Sequence, residues 1–331
     1  MTTVDSIRRR LATRRGRRIA ALSVGIFLAV WIITRCTSQP AGPTLVYVPE
    51  GSPARQCQAL RSQKLVLVLK DLSAPLSPGW VRLNDTDEMP KHKELVNTLR
   101  LMPREKTRRV VMYSGDTIHL FAEDLAKQTR LSKSSLLNAY YRFSPYSDGG
   151  ILAGYYRVPY KTTPEATMFY LVYRSEQAFQ EITARHHIPY RYTTFKNYLT
   201  VASIIQKETW HADEMPHIAS VIYNRLKKGQ KLQLDATLNY GPYAHTPVTP
   251  ERIRNDASRF NTYRYPGLPP EPIGSVSRAA LDAAMAPAQT HDFYFVRTPK
   301  GWHDFSATYT RHLEKIQRYK TLKEHNESKK F

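Results

Sequence analysis

One carboxylate stands out by its position. Glu208 nearly closes the run Val201-Ala202-Ser203-Ile204-Ile205-Gln206-Lys207-Glu208-Thr209. Phe195, Leu199, Ala202 and Ile205 recur at helical spacing, and Glu208 follows Ile205 by three residues on the same face. The spacing predicts a helix whose apolar stripe ends in an acid at the edge of the core. A carboxyl held against apolar walls resists ionisation, because burial disfavours the charge. Such a Glu is a usable general acid near neutral pH and suits protonation of a glycosidic oxygen. Ordinary glycosidases add a second carboxylate. Asp213, Glu214 and Asp235 are nearest in sequence, and spacing forces none of them towards Glu208. By residue type alone, a lone Glu at a helix end is more often a solvated surface residue than a catalytic one.

Other chemistries find less support. His217, His291, His303 and His312 could ligate a hydrolytic metal, but no HExxH or similar spacing joins them. No metal and no cofactor are expected, and His303 reads as a hydrogen-bonding residue at the edge of a site. Cys36 and Cys57 lack CxxC or Cys/His metal spacing; a disulfide and two separate thiols are both compatible with them.

The elements that must position Glu208 follow it closely. A second helix is predicted from about Pro216, with the stripe Ile218, Val221, Ile222 and Leu226, ending at Gly229. Thr249-Pro250-Glu251 starts a short helix, and Pro266 to Gly274 is a proline-fixed loop. Ser277 caps a helix reaching Ala286, and Phe293 to Val296 is a strand. His303-Asp304-Phe305-Ser306 leads into a last helix with Tyr309, Leu313 and Ile316 facing inward, and a frayed polar tail follows Lys320.

Upstream, Arg109 to Thr117 reads as strand, Gly-Asp turn and helix cap. Leu120, Phe121, Ala122, Leu125 and Leu131, then Leu136, Leu137 and Tyr140, mark two helices. This strand–Gly-Asp-Thr–helix–helix order resembles a LysM-type module, a small fold associated with N-acetylglucosamine polymers. Residues 45–70 look like a partial version of the same plan: Leu45 to Gly51 reads as a strand ending in a turn, a helical run follows, and Leu65–Leu69 reads as a second strand. Pro75, Pro78, Gly79 and Pro90 make 72–92 mostly loop. Tyr155, Tyr156 and Tyr160 lie in an extended stretch, where they could pack or stack on sugars. Thr163-Pro164-Glu165 opens a helix whose Phe169, Tyr170, Leu171, Val172, Phe179 and Ile182 read as core.

The chain has 331 residues, a net charge of +21, 41% hydrophobic and 23% charged residues. That is enough for two or three domains, and the charge favours an anionic partner: nucleic acid, acidic lipid or an acidic cell-wall polymer. Arg8, Arg9, Arg10, Arg14, Arg15, Arg17 and Arg18 precede an uncharged run from Ile19 to Thr34, closed by Arg35. At about 1.5 Å per residue this run spans roughly 24 Å, close to a hydrocarbon core of about 30 Å once the flanking arginines snorkel. No small-x-small cleavage pattern follows, so an uncleaved single-span anchor is favoured over a signal peptide. The arginines place the N-terminus in the cytoplasm and everything after about residue 36 outside the cytoplasmic membrane, away from nucleic acid.

From about 199 to 320 the chain resembles the endolytic murein transglycosylases of the MltG/YceG-like family. The resemblance is carried, in order, by Ala202-Ser203-Ile204-Ile205 with Lys207-Glu208-Thr209, Ile218-Ala219-Ser220-Val221 with Asn224-Arg225-Leu226, and Leu232-Gln233 with Asp235 and Thr237. Tyr240-Gly241, Asn261-Thr262-Tyr263, Gly267-Leu268-Pro269-Pro270 with Pro272-Ile273, Tyr294-Phe295-Val296 and His303 with Phe305-Ser306 continue it. Many relatives carry Glu where Gln206 stands, which favours Glu208, and Ala236 replaces a usual proline.

The resemblance implies a membrane-anchored lytic transglycosylase with one catalytic acid, Glu208. It would protonate the oxygen leaving C1 of N-acetylmuramic acid, then deprotonate that sugar's C6 hydroxyl, leaving a 1,6-anhydro end. Gln233, Asp235, Tyr240, Asn261, Tyr263 and His303 are the implied substrate-binding residues, Asp235 being equally open to a structural role. Asn224 and Arg225 are read as ties between helix and loop. The alternative is a non-catalytic wall-binding scaffold. Expected partners are peptidoglycan glycan strands, the membrane through the N-terminal helix, and cell-wall synthases.

The fold class expected is α+β: one transmembrane helix, a small LysM-like α+β module, and a mainly helical catalytic domain with a short sheet. The expected divisions are a basic tail (1–18), anchor (19–35), linker and partial strand-turn-helix region (36–108), LysM-like and connecting region (109–192), catalytic domain (193–320) and polar tail (321–331).

Overall fold

The computed structural model describes residues 45–63, 72–83, 92–243 and 246–328. The expected basic tail, membrane span, 37–43 linker, Cys36 and the strand at Leu65–Leu69 lie outside them. Among the described residues no helix is long and apolar enough to cross a membrane. Helices and small two-stranded sheets make an α+β chain. It divides into two compact units between Arg104 and Glu105.

In the first unit β1 (Leu45–Val48) pairs antiparallel with β2 (Gly79–Arg82), Val46 opposite Val81 and Tyr47 opposite Trp80. β2 lies in the stretch expected to be loop. Pro78 precedes the paired residues, so it removes no ladder donor, and Trp80 packs on Tyr47 with ring centroids 5.3 Å apart. α1 (Pro53–Ser62) begins with Pro53 in its first turn behind the Ser52 cap. α2 (His92–Leu101) follows β2. Val46, Val48, Leu60, Val81, Leu95 and Leu99 form the core with Cys57. Gln56 is buried there, and its amide is fully engaged by Pro49 O and Leu76 O at 2.8 Å and Leu76 N at 2.7 Å.

The second unit opens with β3 (Thr107–Met112), which pairs antiparallel with β4 (Gly154–Pro159). Between them run α3 (Ile118–Thr129), capped by Thr117, and α4 (Lys133–Phe143), capped by Ser132. Of the tyrosine cluster, Tyr156 is buried and donates to Leu152 O at 2.6 Å. Tyr155 and Tyr160 are exposed under the guanidinium groups of Arg109 and Arg108.

α5 (Pro164–Arg185) leads to α6 (Tyr192–Glu208), which is the centre of the core. The expected stripe Phe195, Leu199, Ala202 and Ile205 is buried, but so is every residue from Leu199 to Ile205. α7 (Met215–Lys227) and α10 (Arg278–Met285) both pack on it. Its Thr, Val and Ile residues cost roughly 0.5 kcal/mol each in helix propensity. Burying Val201, Ile204 and Ile205 returns roughly 1.5–3 kcal/mol each, so packing makes this helix. Its buried hydroxyls are satisfied: Ser203 Oγ donates to Thr200 O at 2.8 Å and accepts from Ile273 N at 3.0 Å.

Two short helices, α8 (Asp235–Leu238) and α9 (Pro250–Asn255), interrupt the loops after α7. The proline loop reaches back to the β3–α3 turn. Gly115 N donates to Ser275 O at 2.9 Å and Ser275 N to Asp116 O at 2.8 Å. Gly274 sits at φ +153°, where a Cβ would fall 2.7 Å from Gly115 O, so only glycine allows this approach.

β5 (Tyr294–Arg297) and β6 (His303–Ser306) form a hairpin. α11 (Tyr309–Ser328) leaves it and continues as helix past Lys320, where a frayed tail was expected. Its expected inward stripe is corrected: Tyr309, Leu313 and Ile316 are exposed. The helix docks instead through His312 stacked on Tyr294, Lys315 bonded to Asp304, and Tyr319 Oη donating to Asp304 Oδ2, both bonds 2.6 Å.

Candidate active site

Glu208 is the last residue of α6, where the apolar core gives way to a turn. The residue keeps some exposed surface, yet its Oε1 is sealed from solvent and has no hydrogen-bond partner among the described residues. Burial first, and then the charge of Asp235, push its carboxyl up to about 7. A hydrogen bond from the Ala236 amide and the charges of Arg225 and Arg297 oppose that rise without cancelling it.

Asp235 and Ala236 reach Glu208 because two loops are zipped together. Gln233 N donates to Thr262 O at 3.2 Å and Leu234 N to Thr262 Oγ1 at 3.1 Å; Thr237 Oγ1 lies 2.9 Å from Thr262 Oγ1. The pairing puts Tyr263 beside Asp235, to whose Oδ1 the tyrosine Oη donates at 2.6 Å. Burial, this bond and the nearby carboxylates of Asp235 and Glu208 push the Tyr263 phenol upward, so it remains a donor. Gln233 is exposed and sits in the left-handed region, φ +50°, a strained conformation for a residue with a Cβ.

The arginine that tempers Glu208 is itself fixed. Arg225 donates from Nε to Phe293 O at 2.6 Å and from Nη1 to Leu232 O, and stands over the Tyr294 ring. Asn224 Nδ2 donates to Thr290 O at 3.0 Å and Asp292 O at 2.9 Å. Both residues therefore tie α7 to loops, as the sequence suggested. Gln206 accepts from Ser277 N at 3.0 Å, at the start of α10.

Three expected contacts lie elsewhere. Asn261 is fully buried; its Nδ2 donates to Ile253 O and Asp256 O, and its Oδ1 accepts from Tyr263 N and Arg264 N. An amide so engaged braces its own loop. Tyr240 packs at a tilt against Phe260, centroids 4.8 Å apart, and donates to Asp148 Oδ2 at 3.4 Å. Asp148 is buried; desolvation pushes it up to about 7 against hydrogen bonds from Gly149 N and Ile118 N and the charge of Lys207. The His303 side chain is buried, its Nδ1 3.0 Å from Glu214 Oε2, and its backbone N–H donates to Glu214 Oε1. Glu214 also accepts from Thr209 Oγ1 at 2.9 Å. Burial alone would raise the Glu214 carboxyl; these bonds outweigh it and hold the group low. His303 therefore bears on Glu208 through Glu214 and Thr209.

The structure thus gathers Glu208, Asp235, Tyr263, Arg225, Arg297 and the Ala236 amide. Arg297 escaped the sequence reading, since only the hairpin register brings it in, and Glu214, named there as a possible second carboxylate, instead anchors His303 and Thr209. A cavity of about 440 Å³ lined by Phe143, Phe169 and Glu176 shares no residue with this site.

Fold and site together define an α+β protein in which a helical core frames the Glu208 carboxyl at its edge. The chain belongs to the YceG-like family, whose model matches residues 46–318. It is 36% identical over 131 residues to an endolytic murein transglycosylase of Bacillus subtilis, covering 40% of this chain and 33% of that protein. It is 31% identical over 108 residues to an endolytic murein transglycosylase of Streptococcus pneumoniae, covering 31% and 20%. It therefore spans a third of the length of the first and a fifth of the second. A solved YceG-like protein of Listeria monocytogenes shares the fold, with a TM-score of 0.54 at 21% identity over 82% of this chain and 97% of that one.

Proposed function

We propose that this chain is a lytic transglycosylase that cuts peptidoglycan glycan strands endolytically, with Glu208 as acid and then base. The observation that carries the proposal is the sealed, unpartnered Glu208 oxygen on a carboxyl that titrates at about 7. Near neutral pH a useful fraction is protonated and can donate. Its proton goes to the bridging oxygen as the C1–O bond of N-acetylmuramic acid breaks. The carboxylate then takes the proton of that sugar's C6 hydroxyl while O6 bonds to C1. The product is a 1,6-anhydro end, the enzyme regains its proton, and no water or second carboxylate is consumed. Arg225 and Arg297 offset the charge that Glu208 acquires between the two steps. Burial and then the charge of Asp235, which Tyr263 holds in place, favour the protonated carboxyl at rest, and the same negative charge would stabilise positive charge developing at C1.

The run Ile19–Thr34 and the arginines before it support a single cytoplasmic-membrane anchor with the site on the outer side. There the enzyme would meet strands emerging from cell-wall synthases and terminate them. The strand–helix–helix–strand order of β3, α3, α4 and β4 supports a LysM-like, sugar-associated reading of that region.

The test is mass spectrometry of products released by the full chain from uncross-linked glycan strands. Anhydro-ended internal fragments are expected, and Glu208→Gln should release none. Full activity of Glu208→Gln, or reducing ends in the products, refutes the mechanism; strand binding without cleavage by the unmodified chain would make it a scaffold.

A further inference from the structure

Immediately beyond Glu208 the chain exposes an aromatic surface that the chemistry above does not use. Trp210 is 71% exposed, and Trp302, in the turn between β5 and β6, is 42% exposed. The His211 ring lies flat on Trp302, centroids 3.9 Å apart at 14°. The Trp210 ring is 5.2 Å from His211, and the Arg297 guanidinium stands 5.5 Å over Trp210. Large apolar rings left in water cost free energy, and a cluster of them marks a binding surface more often than a scattered single residue does.

These rings are also held still. His211 N donates to Thr209 Oγ1 at 3.0 Å, and Thr209 Oγ1 donates to Glu214 Oε2. The same buried carboxylate takes the backbone and ring of His303, next to Trp302. Thr298 N donates to Trp302 O at 2.7 Å, closing the hairpin turn. One carboxylate thus bolts together the two segments that carry the rings. Such preorganisation lowers the ordering cost of a ligand.

We propose that Trp210, His211, Trp302 and Arg297 form an accessory subsite for an acidic sugar of the glycan strand, beside Glu208. The inference rests on the transglycosylase reading. A pyranose presents one face of C–H groups, which packs on an indole ring while its hydroxyls stay in water. A muramic residue also carries a lactyl or stem-peptide carboxylate, which Arg297 would pair with. Position favours this occupant over a lipid surface. Two residues of chain span at most about 7 Å, so the backbone of Trp210 stays that close to the backbone of Glu208. Arg297 is close enough to influence the Glu208 carboxyl as well as to cover Trp210.

The experiment uses the full chain and uncross-linked glycan strands, comparing Trp210→Ala, Trp302→Ala and Trp302→Phe. Each alanine variant should raise KM about tenfold and change kcat less than about twofold, the pattern of lost uniform binding. Trp302→Phe should recover most of the loss, which a folding defect would not. Strand binding, read by tryptophan emission on a Glu208→Gln background, should weaken in parallel. Wild-type KM and binding in both alanine variants would overturn the subsite while leaving the Glu208 chemistry intact. Raised KM in these variants with Glu208→Gln still active would do the reverse. Emission shifts on phosphatidylglycerol vesicles but not on strands would assign the rings to a membrane surface and also overturn the subsite.

Discussion

Replacing Glu208 by Gln should inactivate the protein and, at the same time, stabilise it by an amount that depends on pH. The carboxyl titrates at about 7 in the folded chain against an ordinary value of 4.5. Below 4.5 both folded and unfolded chains hold the proton, and the site carries no penalty. Between 4.5 and 7 the unfolded chain releases its proton while the native state keeps it, so stability falls as pH rises. Above 7 the native state holds a buried carboxylate and the penalty is complete. At about 1.4 kcal/mol per pH unit the full penalty is of order 3 kcal/mol.

Glutamine matches the protonated acid in shape, and its carbonyl can still accept from the Ala236 amide. Any cost of its unpaired NH2 is independent of pH, so the slope isolates the titration. Thermal unfolding from pH 4 to 8 should therefore show the variant's melting temperature gaining about 6–12 °C on the wild type, at 2–4 °C per kcal/mol for a unit of this size. A melting-temperature difference that stays flat across that range would mean that Glu208 is not held protonated, and the acid role would lose its physical basis. In the active protein the same group should end activity on the alkaline side, with kcat/KM falling as pH passes about 7.

Two further substitutions probe the neighbours. Asp235→Asn removes the charge that helps raise Glu208 yet keeps an acceptor for Tyr263, so the alkaline limb of kcat/KM should move to lower pH; an unmoved limb would separate Asp235 from the acid. Asn261→Ala strips four loop hydrogen bonds and should cost about 2–3 kcal/mol in denaturant unfolding with KM unchanged; raised KM at wild-type stability would restore a sugar-gripping role.

What could be read from the chain follows from the range of the forces involved. Helical period exposes α6, α7 and α10, because the apolar side chains that repeat along them are the ones that pack. Local hydrogen bonds make the Thr117 and Ser277 caps equally plain. β2 was hidden because its evidence is a partner strand and an aromatic neighbour, while its own flanks carry prolines. The face of α11 was misread because its docking uses His312, Lys315 and Tyr319, while Leu313 and Ile316 stay exposed and Tyr309 touches only the edge of the hairpin at Tyr294.

The site divides along the same line. Glu208 was visible as an acid at the end of an apolar run, but its chemistry depends on groups distant in sequence. Asp235 and the Ala236 amide arrive through a loop pinned by Thr262, and Arg297 arrives on a hairpin whose His303 is pinned by Glu214. Asn261 shows the converse. It lies in a motif beside Tyr263, yet its neighbours consume its amide, so a motif marks where a loop must hold its shape as readily as where a sugar is touched. Trp210 and Trp302 fell in no motif, and only their exposure and shared anchoring on Glu214 set them apart. A residue's place in such a site is therefore decided by which of its polar atoms remain unspent after the fold has formed, and Glu208 Oε1, within reach of the charges of Asp235 and Arg225, remains so among the described residues.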